Sequence, residues 1–241
     1  MNTKAPAGAN PAAKPSPWLE LLITIVVPAL VLMQLSSASR LGPGRALLLA
    51  LAFPLAWGAR ELVRQRKLNL MAAIGVVSTL LTGGIGLLAL DPQWLAVKEA
   101  AVPGAIGLAV LISARTRYPL VRVLVFNRTL FDVERVQQAL RERGTEAAFE
   151  TKLLNATLML AGTFVFSSVM NYLLARWVVT SPAGSEAFNA ELGRMTLLSY
   201  PVIAIPSMLM MAGVMFYLAR GARRLSGLEL EQMLRHAGEP G

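Results

Sequence analysis

The sequence predicts an all-α polytopic membrane protein, a bundle of about six transmembrane helices with the N- and C-termini both cytoplasmic. Three observations predict it. Long apolar segments recur along the chain, each with whole helical turns free of polar side chains, whereas a soluble helix would show a polar face. Basic charge alternates between heavy and light in the segments that join them. Composition is 55% hydrophobic and 15% charged over 241 residues, membrane-like rather than globular.

The elements follow in order. Residues 1–17 are rich in Ala and Pro with few large apolar groups, which predicts a disordered cytoplasmic tail. The apolar segments are Trp18–Ala38, Ala46–Ala59, Leu68–Leu90, Leu95–Ala114, Leu153–Thr180 and Thr196–Ala219. Most can cross a hydrocarbon core about 30 Å thick at about 1.5 Å per residue. The second reaches that length only through Arg60 to Val63, with the arginine snorkelling. Ser36-Ser37-Ala38 resembles a leader cleavage site, but the apolar run is long and the tail before it weakly basic, so the first span is expected to stay. Pro28, Pro54, Pro103, Pro201 and Pro206 predict kinks. Asp91-Pro92 marks a tight turn. Ser181–Met195 reads as a small polar outer loop.

Loop charge sets the orientation. Lys4, Lys14, the Arg60–Lys67 cluster, eight basic residues in Arg115–Lys152 and four in the C-tail place 18 of the 23 Lys and Arg residues on one side. Arg40, Arg45, Lys98, Arg176 and Arg194 make up the other 5. The positive-inside rule then puts both termini in the cytoplasm of a multi-pass bacterial inner-membrane protein. This distribution, with basic residues between apolar spans, argues against a nucleic-acid groove despite the net charge of +9.

The domain reading is a tail at 1–17, a transmembrane domain at 18–219 including the basic loop 115–152, and a basic amphipathic tail at 220–241. In the loop, Val133, Val136 and Leu140 share a helical face, with Asp132 as N-cap and Gly144 as stop. The Tyr118–Phe126 stretch, apolar and basic, suits a membrane surface. In the tail, Ser226-Gly227-Leu228-Glu229 fits a capping box, with Leu225 and Leu230 as its staple. Two placements stay open for both helices: on the inner leaflet facing anionic lipid, or across the bundle's cytoplasmic end.

Candidate site residues are few. Lys98 and Glu99 lie about one turn inside the fourth span, where charge is costly and often functional. Neighbouring side chains leave a helix about 100° apart, so each is expected to need another partner, with Asp91 and Arg176 at the same level. Interfacial snorkelling is the competing explanation. Gly83, Gly84 and Gly86 interrupt the third span beside the Pro103 break in the fourth. Paired breaks can mark a transporter site or an ion filter, or simply close helix packing. Asn171 in the fifth span is expected to hydrogen-bond across helices. Met208, Met211 and Met215 share a face of the sixth span, but no Cys or His accompanies them. With no cysteine and one histidine, His236, no metal site, cofactor or catalytic constellation is predicted, and the chain reads as a non-enzyme.

The stretch at 79–113, TLLTGGIGLLALDPQWLAVKEAAVPGAIGLAVLIS, resembles the intracellular septation protein A family, and more closely an uncharacterised bacterial multi-span family. Gly83, Gly84, Asp91, Trp94 and Lys98 carry the pattern of a Gly-rich span end, an acid, an aromatic and a lysine leading into the next span. Met170–Ala175 forms a second matching stretch. Ala96 stands where the family has its first lysine, and Lys98-Glu99-Ala100 where it has Lys-Pro-Thr. The resemblance implies an inner-membrane protein of septation or cell-envelope maintenance, acting through lipids and envelope or division proteins, with a homo-oligomer compatible. The alternative expectation is a small-solute or ion transporter with its site between the third and fourth spans.

Overall fold

The computed structural model describes residues 17–65, 70–116, 120–121 and 132–233, and among them every regular element is helical. Most of the expected tail, most of the Tyr118–Phe126 stretch, and His236 lie outside the described residues. The first rod is α1 (Pro17–Leu21), a π turn (Leu22–Val26) and α2 (Val27–Leu35). Then come α3 (Pro43–Gln65), α4 (Leu70–Leu87) and α5 (Gln93–Ser113). They are followed by α6 (Val133–Glu142), α7 (Glu146–Val178) and α8 (Glu186–Ser199). A second π turn (Tyr200–Ala204), α9 (Ile205–Ser226) and α10 (Leu230–Met233) complete the chain.

Four helical stretches, Trp18–Leu35, Gln93–Ser113, Glu146–Val178 and Glu186–Ser226, are long and apolar enough to cross a membrane, which suggests a membrane protein. Gly75–Leu87 is a shorter apolar helix. The second and third predicted segments fall on α3 and α4, which pack against each other.

Proline explains both π turns. Pro28 and Pro206 cannot donate to the carbonyl four residues back. In each case the residue before the proline bonds five residues back instead, Val27 N–H to Leu22 O and Ile205 N–H to Tyr200 O. The helix widens by one residue and continues. Two of the predicted kinks are therefore π turns. Pro54 and Pro103 sit inside uninterrupted α-helices.

Missing Cβ atoms set the helix crossings. A Cβ on Gly107 would lie 2.9 Å from Phe164 Cβ, and one on Gly104 would lie 3.0 Å from Ser168 Oγ, so α5 and α7 approach closely. Ser168 Oγ uses that space to donate to Ala100 O at 2.8 Å. A Cβ on Gly193 would lie 2.8 Å from Ala29 O, which fixes the α2–α8 crossing.

Two cores result. One, at the Asp91 end, joins Leu32, Leu47, Leu95, Leu174, Phe188 and Leu192. The other, at the Arg-rich end, joins Val136, Leu140, Phe149, Leu153, Leu218 and Met233.

Two expectations need correction. Ser181–Met195 is not simply a loop: α8 begins at Glu186, with Ser185 Oγ accepting the Phe188 N–H at 3.0 Å as its cap. Its polar residues hide an apolar stripe, Phe188, Leu192 and Met195, which is buried. The second correction concerns the tail. Ser226 ends α9, and Gly227 closes it in the left-handed region at φ 71°. The reciprocal cap lies three residues later, where Gln232 Oε1 accepts the Glu229 N–H at 3.0 Å.

α6 has the predicted cap and stop, and of its two open placements the structure shows one: Asp132 Oδ1 accepts the Arg135 N–H at 3.1 Å, and Gly144 has φ 64°. Its apolar face covers the bundle end rather than lying free on a leaflet. Val136 and Leu140 are buried against the core that includes Phe149, Leu153 and Met233. Burying two such side chains stabilises the docked helix by roughly 3–6 kcal/mol, an upper figure. Asp132 N–H donates to Met233 O at 2.8 Å, tying the tail to the same cap.

Candidate functional site

A recess lies between α4 and α5, a groove of about 580 Å³. Val77, Leu81 and Ile85 line it from α4, and Trp94, Val97 and Val102 from α5. Its polar lining side chains are Ser78 and Lys98. Val77, Leu81, Trp94 and Val97 are each about half exposed, so the groove opens on the outside of the bundle rather than into a central channel.

Lys98 is the polar centre of this wall. Its Nζ lies 2.6 Å from Glu99 Oε1 and donates to Thr82 Oγ1 at 2.8 Å and Ser78 Oγ at 3.2 Å. The side chains of Lys98 and Glu99 are 10% and 26% exposed. Adjacent residues do pair here, against the sequence expectation. The 100° separation holds at Cβ, but the long lysine stem curls along the helix until its head meets the shorter Glu arm. Ser78 and Thr82, one helical turn apart on α4, supply the other two acceptors. An ammonium has three donors, and three acceptors face it. The arrangement neutralises charge inside an apolar wall and engages all three Lys98 donors.

The other predicted residues are placed elsewhere. Asp91 Oδ1 accepts the Gln93 N–H at 2.8 Å, so Asp91 helps start α5 rather than pairing with Lys98. Arg176 is exposed on α7, and no ion pair joins it to Glu99. A Cβ on Gly83 would lie 2.6 Å from Leu51 Cδ1, and one on Gly86 would lie 2.5 Å from Leu47 Cδ2. These two glycines therefore admit α3, on a different face from the groove, while Gly84 has open space around it. Asn171 Nδ2 donates to Ser167 O at 2.8 Å within its own helix, not across to a neighbour. Of the seven predicted residues, Lys98 and Glu99 are the pair brought together.

Four polar residues escaped the sequence analysis. Ser78 and Thr82 had a readable signal, hydroxyls four apart on one helical face of a mainly apolar run that also carries Thr79. Asn189 is 0% exposed; its Nδ2 donates to Ser36 Oγ at 3.0 Å and to Pro43 O at 2.8 Å, latching α8 to the α2–α3 turn. Glu191 collects the N–H groups of Thr180 and Ser181 at 2.9 Å each and the Ser181 hydroxyl at 2.7 Å. It closes the α7–α8 turn. Neither announces its partners in sequence, because they lie in other segments. Among the described residues no three His, Asp or Glu side chains converge as a metal site.

No family model, curated protein or solved structure matches the chain.

Proposed function

We propose that this chain is a six-span protein of a bacterial cytoplasmic (inner) membrane, with both termini inside, of the septation or envelope-maintenance type. It acts as a non-enzymatic contact platform for lipids and for envelope or division proteins. The observation that carries this reading is the saturated Lys98. Its three donors are taken by Glu99, Thr82 and Ser78, and the groove beside it is otherwise apolar and open to the outside of the bundle. Such a wall suits an apolar surface in the bilayer plane, whereas a hydrophilic solute needs polar groups left free to replace its water. The docked α6 and α10 add a compact cytoplasmic face for partners.

Deletion tests the reading. Loss of the protein is expected to alter cell shape, division or tolerance of osmotic stress, with recovery on re-expression. Normal growth and morphology under osmotic and detergent stress contradict it.

A second reading rests on the same pair. A partly buried Lys–Glu couple beside a 580 Å³ groove also fits a small-solute or ion transporter. It predicts flux in proteoliposomes that falls on Lys98→Ala or Glu99→Ala. Flux unaffected by both changes removes that site.

A further inference from the structure

A second recess, of about 380 Å³, lies at the opposite end of the bundle, where α9 ends. Arg220, Arg223, Arg224, Gly227, Leu228 and Glu229 line it. Arg223 Nη2 pairs with Glu229 Oε2 at 2.9 Å. Arg220 and Arg224 have no carboxylate partner among the described residues. A further guanidinium arrives from α6: that of Arg143 lies over Gly227, in the space a Cβ would fill. Four arginines and one carboxylate leave a net charge of about +3. Uncompensated guanidinium groups at the C-terminus of one helix match an anion with several acceptor oxygens, above all a phosphate.

The rest of α9 says what the phosphate is attached to. Residues 209, 216, 220 and 223 fall on one stripe of the helix. Leu209 is 69% exposed and Phe216 is 67% exposed. Gly213, between them, has nothing within 4 Å of where its Cβ would lie. The stripe is thus an open apolar track that ends in arginine. The level is marked independently. Lys152 Nζ sits 4.8 Å from the centre of the Tyr217 ring, and Asn155 Nδ2 donates to the Tyr217 hydroxyl at 3.3 Å. A cation, an amide and an aromatic hydroxyl together are typical of the membrane interface. Arg220 to Arg224 follow one to two turns later, at phosphate depth.

We propose that this end of α9 binds one anionic glycerophospholipid, its phosphate held by Arg220, Arg223, Arg224 and Arg143 and an acyl chain lying along Leu209, Gly213 and Phe216. The site names a lipid partner for the platform proposed above. It rests on the membrane placement and not on the envelope role, so a wild-type growth phenotype leaves it standing.

Native mass spectrometry of the full chain, in micelles carrying equal phosphatidylglycerol and phosphatidylcholine, tests it. Each arginine near a membrane surface contributes roughly fivefold in affinity for anionic lipid. Wild type is expected to retain phosphatidylglycerol in preference by about tenfold or more. Arg220→Gln/Arg223→Gln/Arg224→Gln is expected to lose that preference, and Phe216→Ala to weaken it. Arg40→Gln/Arg45→Gln, at the other end of the bundle, is expected to keep it. All these positions are exposed, and melting curves verify that the variants are folded. A preference that survives the triple change, or that falls equally in the Arg40/Arg45 variant, overturns the site. Displacement of the lipid by millimolar inorganic phosphate overturns the lipid assignment in favour of a soluble phosphate ligand.

Discussion

Glu99→Gln is the sharpest perturbation of the α4–α5 wall. It keeps the shape of the side chain and deletes the charge facing Lys98 Nζ at 2.6 Å. Removing one partner of a fully buried pair costs about 3–5 kcal/mol, because the remaining charge stays without compensation. Lys98 is 10% exposed rather than sealed. It also keeps Thr82 Oγ1 and Ser78 Oγ as acceptors. The expected cost therefore falls to about 2–3 kcal/mol. For a chain of this size that corresponds to a drop of roughly 4–12 °C in melting temperature. The partner experiment is the double variant Lys98→Met/Glu99→Gln. Once the unpaired charge is gone, most of the lost stability is expected to return, since an apolar replacement of a buried pair is often close to neutral. Thermal unfolding in detergent, followed by tryptophan fluorescence, gives the cycle. The coupling between the two positions is expected to be about 1–3 kcal/mol. A Glu99→Gln melting point within a degree of wild type, or a double variant worse than the single one, refutes the claim that Glu99 neutralises Lys98 inside the wall.

Two further stability predictions follow from packing and hydrogen bonding. Gly86→Leu drives a side chain into Leu47 and Phe188 and is expected to cost about 1–3 kcal/mol by overpacking, whereas Gly84→Ala, which meets nothing within 4 Å, is expected to be neutral or to stabilise by up to about 1 kcal/mol through helix propensity; paired melting curves check the contrast. Asn189→Ala removes both bonds that join α8 to Ser36 and Pro43 and is expected to cost about 2 kcal/mol, with faster cleavage near residues 36–43 under limited proteolysis.

Most of the helices were legible because each rests on a local signal; the start of α8 at Glu186, expected as loop, was not. Apolar runs gave the spanning stretches, Asp132 and Gly144 bracketed α6, and Pro28 and Pro206 marked the two places where the helix widens. What escaped depends on residues far apart in the chain. The burial of α8 was hidden because its Glu, Asn and Arg residues dilute an apolar stripe that matters only once α2 lies against it. Gly83 and Gly86 were recognised as a break, yet whether they faced a ligand or a neighbouring helix was settled by Leu51 and Leu47, more than thirty residues away. Lys98 was found by its charge alone. Its pairing was misjudged because a rule about Cβ directions was applied to two side chains long enough to bend around it.

The central claim is six crossings with both termini inside, and the absence of cysteine makes it directly measurable. Single substitutions Ser39→Cys, Gln65→Cys, Gln93→Cys and Gln138→Cys are labelled with a membrane-impermeant maleimide in intact cells and again after permeabilisation. The account predicts labelling of Ser39→Cys and Gln93→Cys in intact cells, and of Gln65→Cys and Gln138→Cys only after permeabilisation. Labelling of Gln65→Cys in intact cells means that α3 and α4 do not cross the membrane. That result, or labelling of Gln138→Cys from outside, contradicts the account.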